Sequence, residues 1–166
     1  MITDPVSVLS STPTYAILRP VGRSRELAQA LTLHRYDGTG TGGLNSSIRL
    51  FPDSANWGIV REITAGDFNG DGNSDLLAVQ ESTGTLRLYL GDGKGDLADG
   101  VTSGILNWST IKDIIPGDFS GDGKTDLAAI WGDGTLHLYT GSGTGSFTST
   151  GTMWPDATWA TTKLAT

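Results

Sequence analysis

An acidic loop of nine residues occurs twice in this chain, in the same form and at a fixed distance. Asp67-Phe-Asn-Gly-Asp-Gly-Asn-Ser-Asp75 and Asp118-Phe-Ser-Gly-Asp-Gly-Lys-Thr-Asp126 begin 51 residues apart. Other landmarks keep nearly the same step: Trp57, Trp108 and Trp159 by 51 and 51, Tyr36, Tyr89 and Tyr139 by 53 and 50. A step on the order of 50 residues marks a chain of stacked supersecondary units. Such a unit cannot bury its apolar face alone, so it must pack against its neighbours in the series.

The content of one unit is short, β-rich and broken by turns. Ile114-Ile115-Pro116-Gly117 leads into the second loop and Asp126-Leu-Ala-Ala-Ile-Trp131 leaves it. Gly132-Asp133-Gly134 reads as a hairpin turn, and Thr135-Leu-His-Leu-Tyr139 alternates as a half-buried strand does. Gly141-Ser-Gly-Thr-Gly145 makes a further turn before the segment around Phe147 to Trp154. Four short antiparallel strands per unit is the content of one propeller blade. The preceding unit repeats it through Asp75–Gln80, Thr85–Tyr89 and Gly91–Gly95.

Within each loop, oxygen-bearing side chains stand at positions 1, 3, 5 and 9, with Gly72 or Gly123 at position 6 for the sharp turn. Three carboxylates on so short a loop repel one another without a cation. The expected ligands are Asp67, Asn69, Asp71 and Asp75 in one loop, and Asp118, Ser120, Asp122 and Asp126 in the other. Position 7, Asn73 or Lys124, would offer its backbone carbonyl, which is why a lysine is tolerated there. Two Ca2+ per chain are expected. An EF-hand would need an acidic ligand at position 12 between helices, but that position is Ala78 or Ala129 in a strand-like run. Dockerin-type loops also lead into helices, whereas these lead into strands.

The segments GDFNGDGNSDLLAV and GDFSGDGKTDLAAI, each followed by TLxLYxGxGxG, resemble the FG-GAP/VCBS repeats of bacterial secreted proteins, which are related to the calcium-bearing blades of integrin α-subunit propellers. The resemblance covers roughly residues 31–160. It implies an all-β propeller of four-stranded blades with calcium between the first two strands of a blade. It also implies the settings in which such repeats occur: lectins, and accessory modules of extracellular hydrolases, adhesins and toxins.

The pattern fades toward both ends. Thr32-Leu-His-Arg-Tyr36 aligns with Thr85–Tyr89, but Arg35 stands where Leu88 and Leu138 stand. Upstream, Thr14–Arg19 could serve as a first strand, and Arg23–Leu31 reads equally as short helix or strand. The division expected is a degenerate segment 1–30, the second half of a first blade over 31–60, and calcium-binding blades over 61–110 and 111–166. Closed propellers have about four to eight blades, and about three would leave open edges. The ring is expected to be completed by oligomerisation of this chain with itself or by a missing part.

Composition narrows the setting. The formal charge is −7, and six acidic groups sit in the two loops, so the acidity is largely metal chemistry. No Lys/Arg cluster provides the footprint that nucleic acid requires. No stretch is long and apolar enough to insert into a bilayer as a helix, and Met1–Val6 does not open a recognisable signal peptide. Cysteine is absent, so thiols say nothing of compartment. Loops without a bidentate Glu suit millimolar calcium, and a secreted or extracellular-surface location is expected.

The remaining motifs have modest readings. The glycine strings 38–42, 91–95 and 141–145 are GxGxG between strands, unlike a dinucleotide fingerprint, and read as turns with positive φ. The recurring Trp57, Trp108 and Trp159 are expected to pack between units. Trp131 and Trp154 lack aromatic counterparts in the preceding unit and are the candidate ligand-binding rings. His34 and His137 read as surface residues. No nucleophile motif appears, and Asp53 and Asp156, the spare repeat-linked carboxylates, look like turn residues, so the chain is not expected to be an enzyme. The function expected is recognition of carbohydrate or cell-surface glycan, as the resemblance implies. The alternatives are an assembly subunit making protein contacts and a non-catalytic targeting module of a secreted hydrolase.

Overall fold

A computed structural model describes residues 32–39, 41–51, 57–104, 107–154 and 156–161. Residues 1–31, with the candidate strand Thr14–Arg19 and the segment Arg23–Leu31 that reads as helix or strand, lie outside the described residues, as does Asp53. Ten strands are described, and every pairing is antiparallel. A small first unit pairs β1 (His34–Arg35) with β2 (Ile48–Arg49). The second unit is a four-stranded meander of β3 (Val60–Gly66), β4 (Asp75–Gln80), β5 (Leu86–Tyr89) and β6 (Val101–Thr102). The third repeats it with β7 (Ile111–Gly117), β8 (Asp126–Trp131), β9 (Leu136–Gly141) and β10 (Phe147–Trp154). Two 3₁₀ turns, Trp57–Ile59 and Ala157–Thr161, flank these sheets. The described residues are all-β, as their short alternating segments predict.

The connections follow from local chemistry. Each acidic loop joins the first two strands of a sheet, and its glycines at positions 4 and 6 take φ near +80°, Gly70 and Gly72 at 79° and 84° and Gly121 and Gly123 at 78° and 81°. A side chain there would be strained. The second hairpin of each sheet closes at Gly84 or Gly134. Trp108 donates its amide to the Gly84 carbonyl (2.8 Å), and Trp159 donates to the Gly134 carbonyl (3.3 Å). The tryptophan repeat is therefore a docking device. The chain leaves one sheet, ties the tryptophan's backbone amide to that sheet's central hairpin, and after Trp108 starts the next sheet.

The second strand of each sheet reads as a continuous apolar run, Leu-Leu-Ala-Val or Leu-Ala-Ala-Ile, because it is covered on both faces. Register assigns the faces. Leu77 and Val79 pair with Leu88 and Leu86, and these four join Trp108, Ile111, Ile114, Leu127, Ala129 and Tyr139 in the core between the second and third units. Leu76 and Ala78 point the other way, into a cluster with Leu33, Trp57, Val60 and Ala65 against the first unit. Burying one such Leu or Ile contributes about 1.5–3 kcal/mol, so each inter-unit layer is a substantial part of the fold's stability. Trp108 (1 % exposed) and Trp57 (8 %) are buried in these layers, as expected. Trp159 is half-buried.

Arg35, the departure from the repeat, is buried in a leucine position. Its guanidinium meets the Asp37 carboxylate at 2.8 and 3.2 Å, which neutralises the charge that burial would penalise.

Candidate functional site

The loop Asp67–Asp75 is organised by its carboxylates. The Asp67 side chain accepts the amides of Gly70 (2.7 Å), Asp71 (3.2 Å) and Gly72 (2.9 Å). Asn69 Oδ1 accepts the Asp71 amide at 3.0 Å, and Asp71 Oδ1 accepts the Asn73 amide at 2.7 Å. The second loop repeats most of this network. Asp118 accepts the amides of Gly121 (2.7 Å), Asp122 (3.1 Å) and Gly123 (3.0 Å), and Asp122 accepts that of Lys124 (3.0 Å). Position-1 and position-5 carboxylates thus hold the loop in shape through its own backbone, which explains why both sequences put Asp there.

The ninth residue behaves differently. Asp75 and Asp126, 1 % and 0 % exposed, each join two parts of the sheet. Asp75 accepts the Phe68 amide (3.0 Å) and the Gly91 amide (2.9 Å); Asp126 accepts the Ser120 amide (2.7 Å) and the Gly141 amide (2.8 Å). Each carboxylate therefore ties the acidic loop to the glycine string that begins the third hairpin. Sequence reasoning counted these residues as ligands and missed this clamp. Its only trace in the sequence is that the first glycine of each string follows the ninth Asp by 16 or 15 residues.

That first glycine also departs from expectation. Gly93, Gly95, Gly143 and Gly145 have positive φ, as turn glycines should, but Gly91 and Gly141 do not. They are glycine because the backbone is too close for anything else. A Cβ on Gly91 would lie 2.1 Å from the Ser74 carbonyl oxygen, and one on Gly141 would lie 2.0 Å from that of Thr125.

The electrostatics reflect the crowding of charge. Burial pushes the Asp75 carboxyl up, and the Asp71 and Asp67 charges push it further, against the pull of the Gly91 and Phe68 amides. The Asn69 side chain and then the Asn73 amide hold the exposed Asp71 carboxyl below its usual value. In the second loop the Lys124 amide and then its side chain lower Asp122, with Nζ at 3.2 Å from the carboxylate. Among the described residues no group of three or more His, Cys, Asp or Glu is placed as a metal-holding cluster. The carboxylates are turned to backbone amides. The donors on offer in the first loop are nonetheless all oxygens, from carboxylates, an amide and backbone carbonyls, the set a hard cation prefers. Asp75 is raised first by burial and only then by the Asp71 and Asp67 charges, a small excess of negative charge that a cation would relieve. The residues fit calcium.

The two candidate rings part company. Trp131 packs against the core between units, stacked on Trp108 with centroids 6.2 Å apart at 16°. Trp154 is 51 % exposed, with Nε1 donating to Asp156 at 2.9 Å. Trp131 pairs with Ile111 on the inner face of its sheet, while Trp154 pairs with Leu136 on the outer face. They do not form a common platform. His34 and His137 are half-buried, each within hydrogen-bonding distance of a neighbouring threonine hydroxyl (2.8 and 2.9 Å). Asp156 accepts the Thr158 amide (2.9 Å), as a turn residue does.

Residues 67–129, from the first residue of the first acidic loop into β8, match the family described as FG-GAP-like repeat. No curated protein and no solved structure matches the chain. The repeat that the acidic loops resemble is thus the repeat they match, and it suggests a β-propeller-like, protein-binding module.

Proposed function

We propose, taking the FG-GAP-like repeat over residues 67–129 as premise, that this chain is a non-catalytic binding module with blades of a β-propeller. In this reading one Ca2+ sits in each acidic loop, held by Asp67, Asn69, Asp71, Asp75 and the Asn73 carbonyl, or by Asp118, Ser120, Asp122, Asp126 and the Lys124 carbonyl. The ion supplies charge neutralisation and stiffness, and no step of any reaction runs through it. The observation that carries the reading is the loop network itself, repeated in two places with the same backbone amides on the same carboxylates. Such loops are already shaped, so metal binding adds to folding stability by mass action. Millimolar extracellular calcium is the setting that loops lacking a bidentate Glu suit.

For the ligand we favour carbohydrate or cell-surface glycan. The exposed Trp154 ring, steadied by Asp156, offers the flat apolar surface on which a sugar ring stacks. Retention of the full chain on glycan-bearing resins in calcium tests this. Trp154→Ala should lose retention and keep its melting temperature, while Trp131→Ala should lose stability first. Failure of the folded protein to bind any glycan surface rejects the ligand reading and leaves the metal reading standing. A protein-assembly role is the second reading, favoured by the half-buried Leu136 and Leu138 and the exposed Trp154 on the outer face of the last sheet.

A further inference from the structure

The layers between units are built by one rule. In each, a side chain from the third strand of one unit seats on the last glycine of the next unit's glycine string. Arg35 seats on Gly95: a Cβ there would lie 1.7 Å from Arg35 Nη1. Leu88, the equivalent of Arg35, seats on Gly145, where a Cβ would lie 2.4 Å from Leu88 Cδ2. Gly95 and Gly145 are both buried under these side chains. The seat closes further through the Gly145 backbone, whose amide donates to the Phe68 carbonyl at 2.8 Å and whose carbonyl accepts the Ser103 hydroxyl at 2.5 Å.

The series has one member of each kind left over. Leu138 is the next equivalent of Leu88, in register with Ala128 on β8. It is half-buried where Leu88 is 4 % exposed. Leu136 is likewise half-buried where its counterpart Leu86 is 1 % exposed, and Trp154 beside it is 51 % exposed. At the other end Gly42 stands where Gly95 and Gly145 stand, with the same positive φ (87°). It is exposed, and a Cβ on it would meet nothing within 4 Å. Leu44 beside it is 57 % exposed, whereas its counterpart Leu97 packs into an inter-unit cluster. Among the described residues, one end of the series therefore carries a plug without a seat, and the other a seat without a plug.

We infer that a second copy of this chain docks head to tail, its Gly42–Leu44 turn seating on the Leu136, Leu138 and Trp154 face of the first. The layers within the chain always join an outer face to the following unit's inner face, never like to like. The intermolecular contact is therefore heterologous, and it ends in a ring if the rotation closes and in an open chain if it does not. This inference rests on register and on the glycine seats; it is independent of the metal reading and competes with the glycan reading for the Trp154 ring, which a docked copy would cover.

Light scattering on the full chain in calcium tests it, with circular dichroism to confirm folding. Wild type should show a molar mass at least twice that of the 17.4 kDa chain. Leu138→Glu and Leu44→Glu should each fall to the mass of one chain. Mixed in equal amounts, they should form a species of two chains and no larger, because one intact head meets one intact tail. Trp154→Glu, at an exposed position, replaces Leu138→Glu should the latter not fold. A wild-type monomer overturns the inference. Association untouched by these substitutions, or a mixture that stays monomeric, overturns it equally.

Discussion

Replacing Asp126 by Ala separates a clamp from a metal ligand. The carboxylate is fully buried and accepts the Gly141 amide at 2.8 Å and the Ser120 amide at 2.7 Å. Truncation leaves both donors without their acceptor. The Gly141 residue is buried, so its amide cannot turn to water, and a stranded buried donor costs about 1–3 kcal/mol. Ser120 is exposed, and water replaces most of its lost bond, leaving roughly 0.5–1 kcal/mol. The total is about 2–4 kcal/mol. For a chain of this length each 1 kcal/mol moves Tm by about 2–4 °C, so Asp126→Ala should melt roughly 5–15 °C below wild type. The assay is thermal unfolding in excess chelator, where any metal contribution is removed from both proteins. Asp118→Ala is the comparison. Its carboxylate serves only exposed loop amides, and in chelator it should lose about 1 kcal/mol or less. Equal melting of wild type and Asp126→Ala in chelator would refute the clamp and reduce Asp126 to a ligand.

Four further outcomes check other parts of the account. Calcium should raise Tm and chelator should lower it, and Asp67→Ala should blunt the calcium response because it removes the residue that shapes the first loop; melting curves indifferent to calcium and chelator would remove the metal from the reading. Gly141→Ala should destabilise by roughly 2–4 kcal/mol in urea unfolding, because its Cβ would lie 2.0 Å from the Thr125 carbonyl, a backbone atom of a packed sheet with little room to yield. Trp108→Ala should lose about 3–5 kcal/mol and Trp154→Ala less than about 1 kcal/mol, a contrast set by 1 % against 51 % exposure. Arg35→Ala should cost about 3–5 kcal/mol by leaving Asp37 unpaired in a partly buried site, and Asp37→Asn should recover part of that loss in the double variant.

The repeat, the strand set and the acidic loops were legible because each is written in local spacing. Alternation identifies β5 and β9, an unbroken apolar run identifies β4 and β8, and DxNxDGxxD or DxSxDGxxD identifies the turn between the first two strands. The clamp was not legible, because a carboxylate that serves a metal and one that serves two amides leave the same letter in the sequence. Only register brings Asp126 against Gly141. The tryptophans were half legible. Their common step predicts packing, which Trp57 and Trp108 obey, but the period says nothing about face. Alternation along β8 from the inward Leu127 and Ala129 turns Trp131 inward, and pairing with the outward Leu136 turns Trp154 outward.

Arg35 shows what a broken repeat is worth as information. At the sequence level it is a flaw, a cation where leucine belongs. In the fold it occupies the plug position of the first layer, reaching Gly95 as Leu88 reaches Gly145. A guanidinium can fill that seat because its stem is apolar and Asp37, two residues on, neutralises its head within the same unit. The seat therefore selects for length and shape, and the identity of the tip is negotiable if its charge is answered locally. The outer layer carries no such compensation. Leu138 has no acidic neighbour two residues away, Thr140 standing where Asp37 stands in the first unit. Leu138→Arg should then weaken docking of a second copy, whereas Leu88→Arg combined with Leu90→Asp should preserve the inner layer. Comparing chain association for the first variant with thermal stability for the second tests whether inner and outer layers obey one rule. If Leu88→Arg/Leu90→Asp melts no higher than Leu88→Arg alone, local charge compensation is not what admits Arg35 to its seat.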